Sequence, residues 1–158
     1  MESRLNPFKA APKAYEAMAA LQAYVNACGL EGPLMELVKI RASQINGCAY
    51  CIDMHTKDAR AAGESEQRLY MLDAWRESPF YSDRERAALE WTESLTKLVE
   101  GHVEDAVYKA VKPHFSDQEL ANLSLAVCSI NSWNRLCVAF RAEPGHYHPG
   151  KARVETNA

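Results

Sequence analysis

The chain has 158 residues, enough for one domain with a sizeable core. Its formal net charge is -3, with 25% charged and 47% hydrophobic residues, so no basic surface points to nucleic acid. Charges break every apolar stretch before the roughly 20 residues that a membrane span needs. The start, Met1-Glu2-Ser3-Arg4-Leu5-Asn6-Pro7, lacks the basic-then-apolar layout of a signal peptide, so a cytoplasmic protein is expected.

Helix signals run through the whole chain. Pro12 opens a first run to about Cys28, with Tyr15, Met18, Leu21 and Val25 as its apolar side and Gly29 closing it. Pro33 starts a second run, Leu34 to about Ile45, which Asn46-Gly47 stops. A third run goes from Cys48 to Ala62, and Ser65 caps a fourth through Leu69, Leu72 and Trp75 to Arg76. Ser82-Asp83-Arg84-Glu85 and Ser116-Asp117-Gln118-Glu119 are capping boxes. The first launches a helix reaching Leu98; the second launches the longest apolar helix, Leu120 to about Phe140. Between them, Val103 to Lys112 is a further helix stopped by Pro113. The expectation is one all-α domain, 1–158, of about seven helices, with its core at 5–145 and an irregular C-terminal tail after Pro144.

Five cysteines stand at 28, 48, 51, 128 and 137. An odd count forbids a fully paired framework within one chain, and structural disulfides are rare in the cytoplasm. Cys28, Cys128 and Cys137 lie in apolar helical surroundings and read as buried, inert thiols. Cys48 and Cys51 differ, because His55 follows four residues after Cys51. At about 100° per residue, Cys51 and His55 share one helix face, one turn apart. Cys48, directly after Asn46-Gly47, is expected in the first turn of its helix, where the positive dipole end favours a thiolate. Helix position thus favours Cys48 as the reactive thiol, and the adjacent base favours Cys51.

Glu36 joins them only if the Asn46-Gly47 turn folds the two helices back on each other. Its height from the turn is then about 16 Å and that of His55 about 12 Å, within one helical turn. A Glu beside a His fixes its tautomer and raises its basicity. The residues therefore suggest a relay from Cys51 to His55 to Glu36. A structural zinc ion needs four ligands, of which Cys48, Cys51 and His55 supply three. Thioredoxin-like chemistry wants its Cys-x-x-Cys after a strand, and no metal, flavin, nicotinamide or phosphate-binding motif is present.

Glu36, eleven residues, Cys48-Ala49-Tyr50-Cys51, three residues and His55 together resemble the motif of the alkylhydroperoxidase D and carboxymuconolactone decarboxylase family. Leu37 to Gly47, Ser78-Pro79-Phe80 and Asn131-Ser132-Trp133-Asn134-Arg135 extend the resemblance over about residues 5 to 145. It implies a thiol-dependent peroxidase or disulfide reductase of antioxidant defence, without cofactor or metal. Cys51 is then the peroxidatic thiol, Cys48 the resolving one, and His55 and Glu36 assist. An external dithiol, lipoyl-bearing or thioredoxin-like, would reopen the disulfide, entering at Cys48 as the sulfur nearer solvent. A homo-trimer or homo-hexamer is also implied. Tyr50 stands where the best-studied type has a second histidine; as a poor base at neutral pH it implies slower turnover or a different oxidant or reductant. The decarboxylase branch lacks the cysteine pair. A non-redox lyase on the same fold and a non-enzymatic redox-sensing or zinc-binding oligomer are the rival readings.

The remaining polar groups have simpler expectations. Asn131, Trp133, Asn134 and Arg135 suit hydrogen bonding between helices or subunits, and Arg84 to Arg86 a solvated first turn. His102 and His114 flank helix ends, and His146 and His148 lie in the tail.

Overall fold

The computed structural model describes residues 3–98 and 101–150. Among them, eight α-helices form and no strand does. They are α1 (Pro7–Ala10), α2 (Pro12–Ala27), α3 (Gly32–Ile45), α4 (Ala49–Ala61), α5 (Glu66–Tyr70), α6 (Asp83–Thr96), α7 (Asp105–Val111) and α8 (Asp117–Phe140). Single 3-10 turns stand at Leu72–Ala74 and Lys112–His114.

Both capping boxes form. Ser82 and Ser116 each accept from the backbone N–H of a Glu three residues on, and Glu85 and Glu119 reach back to the cap N–H. The run expected as one helix from Ser65 to Arg76 divides into α5 and a 3-10 turn, a tightening that puts Leu69, Leu72 and Trp75 into one cluster. The short α1 has no periodic pattern to announce it; Asn6 caps it by accepting from the N–H groups of Phe8 and Lys9.

α3 is the central rod. Leu37, Val38, Ile40 and Ala42 have no exposed surface, and even Lys39 and Arg41 are buried. Such a helix is packed on every side rather than along one stripe. On one side, Leu34 and Val38 meet Ala88 and Trp91 of α6 and Leu123 and Val127 of α8. On another, Leu37 and Ile40 meet Ala59 of α4, Leu72, Trp75 and Leu89. Val25, Met35 and Ala126 tie in α2. Each fully buried Leu or Val side chain contributes roughly 1.5–3 kcal/mol by leaving water.

The charged run at 84–86 is not simply solvated. Arg84 pairs with Glu31 at 2.9 Å and Glu119 at 2.6 Å and lies over the Phe115 ring. Glu85 pairs with Arg68 at 2.5 Å, and Arg86 donates to the carbonyls of Trp75, Arg76, Ser78 and Tyr81. Partners from distant segments turn a surface-looking triplet into a clamp on the α5–α6 connection.

The tail is irregular, yet fastened. Tyr147 Oη donates to Asp58 at 2.6 Å, the Gly145 N–H to Asp53 at 2.9 Å, and Lys57 Nζ to the Tyr147 carbonyl at 3.2 Å. It therefore lies along α4; residues 151–158 lie outside the described part.

Candidate functional site

The turn between α3 and α4 builds the site. Gly47 has φ 64, and the Cys48 N–H bonds to the Ser43 carbonyl at 2.9 Å while that of Gly47 bonds to Gln44 at 3.1 Å. This is a Schellman termination, which needs a residue in the left-handed region and so selects glycine. Asn46 fixes the turn to α8, its Nδ2 donating to the Oδ1 atoms of Asn131 and Asn134, each at 2.9 Å. Asn134 in turn donates to Ser43 Oγ at 3.0 Å, and Asn131 to Thr96 Oγ1 at 3.0 Å. The polar insertion in α8 thus bonds between helices.

Because the turn reverses the chain, α4 runs back along α3 and Glu36 reaches His55. Glu36 Oε2 lies 2.9 Å from His55 Nδ1, and Lys39 Nζ donates to Glu36 Oε1 at 2.7 Å. Burial pushes the Glu36 carboxyl up, but His55 and Lys39 outweigh it and hold it below the ordinary carboxylate range. An ionised carboxylate only accepts, so Nδ1 carries the hydrogen of this bond. His55 is buried on α4, one turn beyond Cys51 on the same face.

Cys48 is the N-cap of α4 rather than part of its first turn, and it is not near solvent. Cys48 and Cys51 are each 1% exposed, under a cover of Ala42, Ile130, Tyr50 and Cys137. The expectation that Cys48 is the sulfur nearer solvent is therefore corrected: α8 closes over the helix start.

The expectation of three inert buried thiols also fails in detail. Cys128 is exposed, Cys28 and Cys137 are half-buried, and Cys137 joins the pair. The sulfurs of Cys48, Cys51 and Cys137 all lie within 4.8 Å of one another. Hydrogen bonding from Cys137 and Cys51, helped by Asn134, draws the Cys48 thiol down against its burial. Cys51 is driven up by Cys137 and Cys48 and by its own burial. One negative charge on the cluster is thus favoured on Cys48, the sulfur at the helix N-terminus.

Among the described residues, two groups offer metal donors. Cys48, Cys51 and Cys137 form a soft, three-sulfur set, and Glu36, His55 and Asp58 a harder one within 4.8 Å. Each holds three of the four ligands that a closed zinc site takes. Sequence reasoning brought Glu36, Cys48, Cys51 and His55 into one site; the structure places Glu36 beside His55 and Cys48 beside Cys51, and adds Asp58 to the first pair and Cys137 to the second. Asp58, one turn after His55, could have been read from helical spacing; Cys137 depends on how α8 packs.

The model of the carboxymuconolactone decarboxylase family matches residues 12–94, which span α2 to α6 and hold Glu36, Cys48, Cys51 and His55. The chain belongs to this family. A family relative from Bacillus subtilis, the uncharacterized protein YdfG, is 43% identical over 139 residues, covering 88% of this chain and 95% of its own. A crystal structure from Agrobacterium tumefaciens is likewise 43% identical, with TM-score 0.89 over 92% of this chain and all of that one. It is a protein of unknown function whose name links it to antioxidant defence and AhpD. The debrominase Bmp8 shares the fold at TM-score 0.76 and 17% identity, over 88% of this chain and 75% of its own. The family assignment agrees with the observed all-α, alkylhydroperoxidase D-like architecture.

Proposed function

We propose that this chain is a thiol-dependent peroxidase or disulfide reductase. One observation carries the proposal: a buried thiol pair stands one helical turn from a histidine whose other nitrogen is fixed, at 2.9 Å, by an ionised glutamate. The antioxidant-defence name of the 43% identical Agrobacterium protein supports it.

In this reading His55 Nε2 takes the proton of Cys51, and Glu36 stabilises the imidazolium that forms. The Cys51 thiolate attacks one peroxide oxygen, the O–O bond breaks, and the leaving oxygen takes a proton to depart as water or an alcohol. Cys51 is then a sulfenic acid. Cys48 attacks its sulfur, hydroxide leaves as water after protonation, and a Cys48–Cys51 disulfide remains. An external dithiol, lipoyl-bearing or thioredoxin-like, returns both thiols and carries the disulfide away. The protein then works as a single-domain enzyme of the cytoplasm, assembled as a homo-trimer or homo-hexamer. No helix among the described residues is long and apolar enough to cross a membrane.

The hydrogen bonds on Cys48 favour a second order of events, with Cys48 as the attacking thiolate and Cys51, deprotonated by His55, as the resolving thiol. Trapping with dimedone separates the two. With Cys137 also replaced by Ser, so that no third thiol can condense with it, Cys48→Ser leaves a labelled sulfenic acid at Cys51 if Cys51 attacks, and Cys51→Ser leaves it at Cys48 if Cys48 attacks. The proposal as a whole is tested by steady-state consumption of hydrogen peroxide and an alkyl hydroperoxide with dihydrolipoamide, thioredoxin or small thiols as reductant. Turnover with at least one dithiol is expected. No turnover with any of them would remove the peroxidase assignment.

A further inference from the structure

The peroxidase reading leaves an access problem. Cys48 and Cys51 are both 1% exposed, so neither sulfur of their disulfide faces the solvent from which a macromolecular dithiol would attack. Cys137 differs on both counts. It reaches the surface in part, beside the half-exposed Val138 on α8, and its sulfur is within 4.8 Å of both others.

We propose that Cys137 is a third redox thiol, which takes over the disulfide from the buried pair and presents it to the external reductant. The proposal rests on the redox reading of Cys48 and Cys51. In the exchange, Cys137 gives its proton to solvent and its thiolate attacks Cys51 Sγ. The Cys48–Cys51 bond breaks, its electron pair stays on Cys48, and a Cys51–Cys137 disulfide forms. Thiol–disulfide exchange goes faster when the leaving sulfur is the better thiolate. Cys48 is that sulfur, lying at the N-terminus of α4 with Asn134 beside it.

The reductant's first thiolate then attacks Cys137 Sγ, and Cys51 leaves and picks up a proton. Its second thiol attacks the resulting mixed disulfide and releases Cys137. Two electrons and two protons have come from the dithiol, and all three cysteines are reduced again. The exchange step itself needs no oxidant. The two helices supply complementary parts: α4 holds the pair where peroxide chemistry is shielded, and α8 holds a half-buried cysteine within 4.8 Å of both.

Two effects of burial distinguish Cys137 from the other outlying thiols. Cys128 is exposed but stands outside the cluster, and Cys28 is half-buried and likewise outside it. Accessibility without proximity gives only slow, unspecific oxidation. Proximity without accessibility gives a disulfide that a protein reductant cannot open.

The main test uses the full wild-type chain, so it stands even where a variant fails to fold. Protein oxidised with one equivalent of hydrogen peroxide is quenched in acid, alkylated and mapped without reduction. A Cys51–Cys137 peptide is expected beside the Cys48–Cys51 peptide. Oxidised protein is also exposed to glutathione, a probe that forms a stable mixed disulfide, and the adduct is expected at Cys137. In a Cys48→Ser variant, diamide should convert most of the chain to the Cys51–Cys137 disulfide. A Cys48–Cys51 disulfide with Cys137 fully alkylated, and glutathione on Cys48, would overturn the third-thiol proposal while leaving the peroxidase reading intact. Absence of any disulfide among the three would instead overturn the peroxidase reading on which it rests.

Discussion

Glu36 on α3 is half-buried and Glu93 on α6 buried, and both carboxylates are held below the ordinary range after their partners outweigh burial. Their partners differ. Glu93 Oε1 accepts from Arg41 Nε and Trp75 Nε1, each at 2.8 Å, and Oε2 from Arg76 at 2.8 Å. Those donors keep their hydrogens at every working pH, so Glu93 is a fixed anchor between α3, α6 and the turn after α5. Glu36 has one lysine and one histidine, and the histidine stands one helical turn after Cys51 on α4. A saturated carboxylate secures the fold, whereas one bonded to a titratable ring can pass on a change of charge.

The sharpest way to break this contrast is chemical. Cys51→Ser should lower peroxide consumption by about 10³-fold or more, as loss of a redox sulfur does. Urea unfolding should move by no more than about 1 kcal/mol. Glu93→Ala should do the opposite. Leaving Arg41 and Trp75 short of an acceptor should cost about 3 kcal/mol in urea or thermal unfolding, with activity per folded molecule unchanged. Equal effects of both substitutions on stability and rate would erase the distinction.

Glu36→Gln sharpens it. Loss of the charge behind His55 should slow peroxide consumption by about 10²-fold and displace its pH profile, while stability falls by about 1 kcal/mol. An unchanged profile would remove Glu36 from the relay. The smallest effect is in acid. Glu36 titrates in the folded chain below its ordinary value of 4.5, so its contribution to stability is complete above that pH and is lost as pH falls through the lower folded value. Unfolding free energy should therefore drop less steeply below pH 4.5 in Glu36→Gln than in the natural chain. Parallel curves would show that the pair adds nothing to stability.

Local rules made the Glu36 side of this contrast legible in the sequence. Asn46-Gly47 sets both the place of the reversal and the register of α4 on α3, and register alone brings Glu36 to His55. The capping boxes at Ser82 and Ser116 likewise declare two helix starts. Burial of Cys48 and the arrival of Cys137 were not legible, because both depend on how α8 crosses α4. Helical periodicity says which side of α8 is apolar without saying which neighbour covers it. Glu93 escaped notice for the same reason: its partners Arg41 and Trp75 come from segments far away in the chain. Arg84 to Arg86 read as solvated since nothing nearby in sequence reveals Glu31, Glu119 or the carbonyls they meet.

The most direct test of the central claim is the intact mass of the full chain after one equivalent of hydrogen peroxide, followed by peptide mapping. The account predicts loss of two hydrogens per chain, located in a disulfide that contains Cys51. A chain in which Cys48 and Cys51 both stay reduced and unmodified would contradict it.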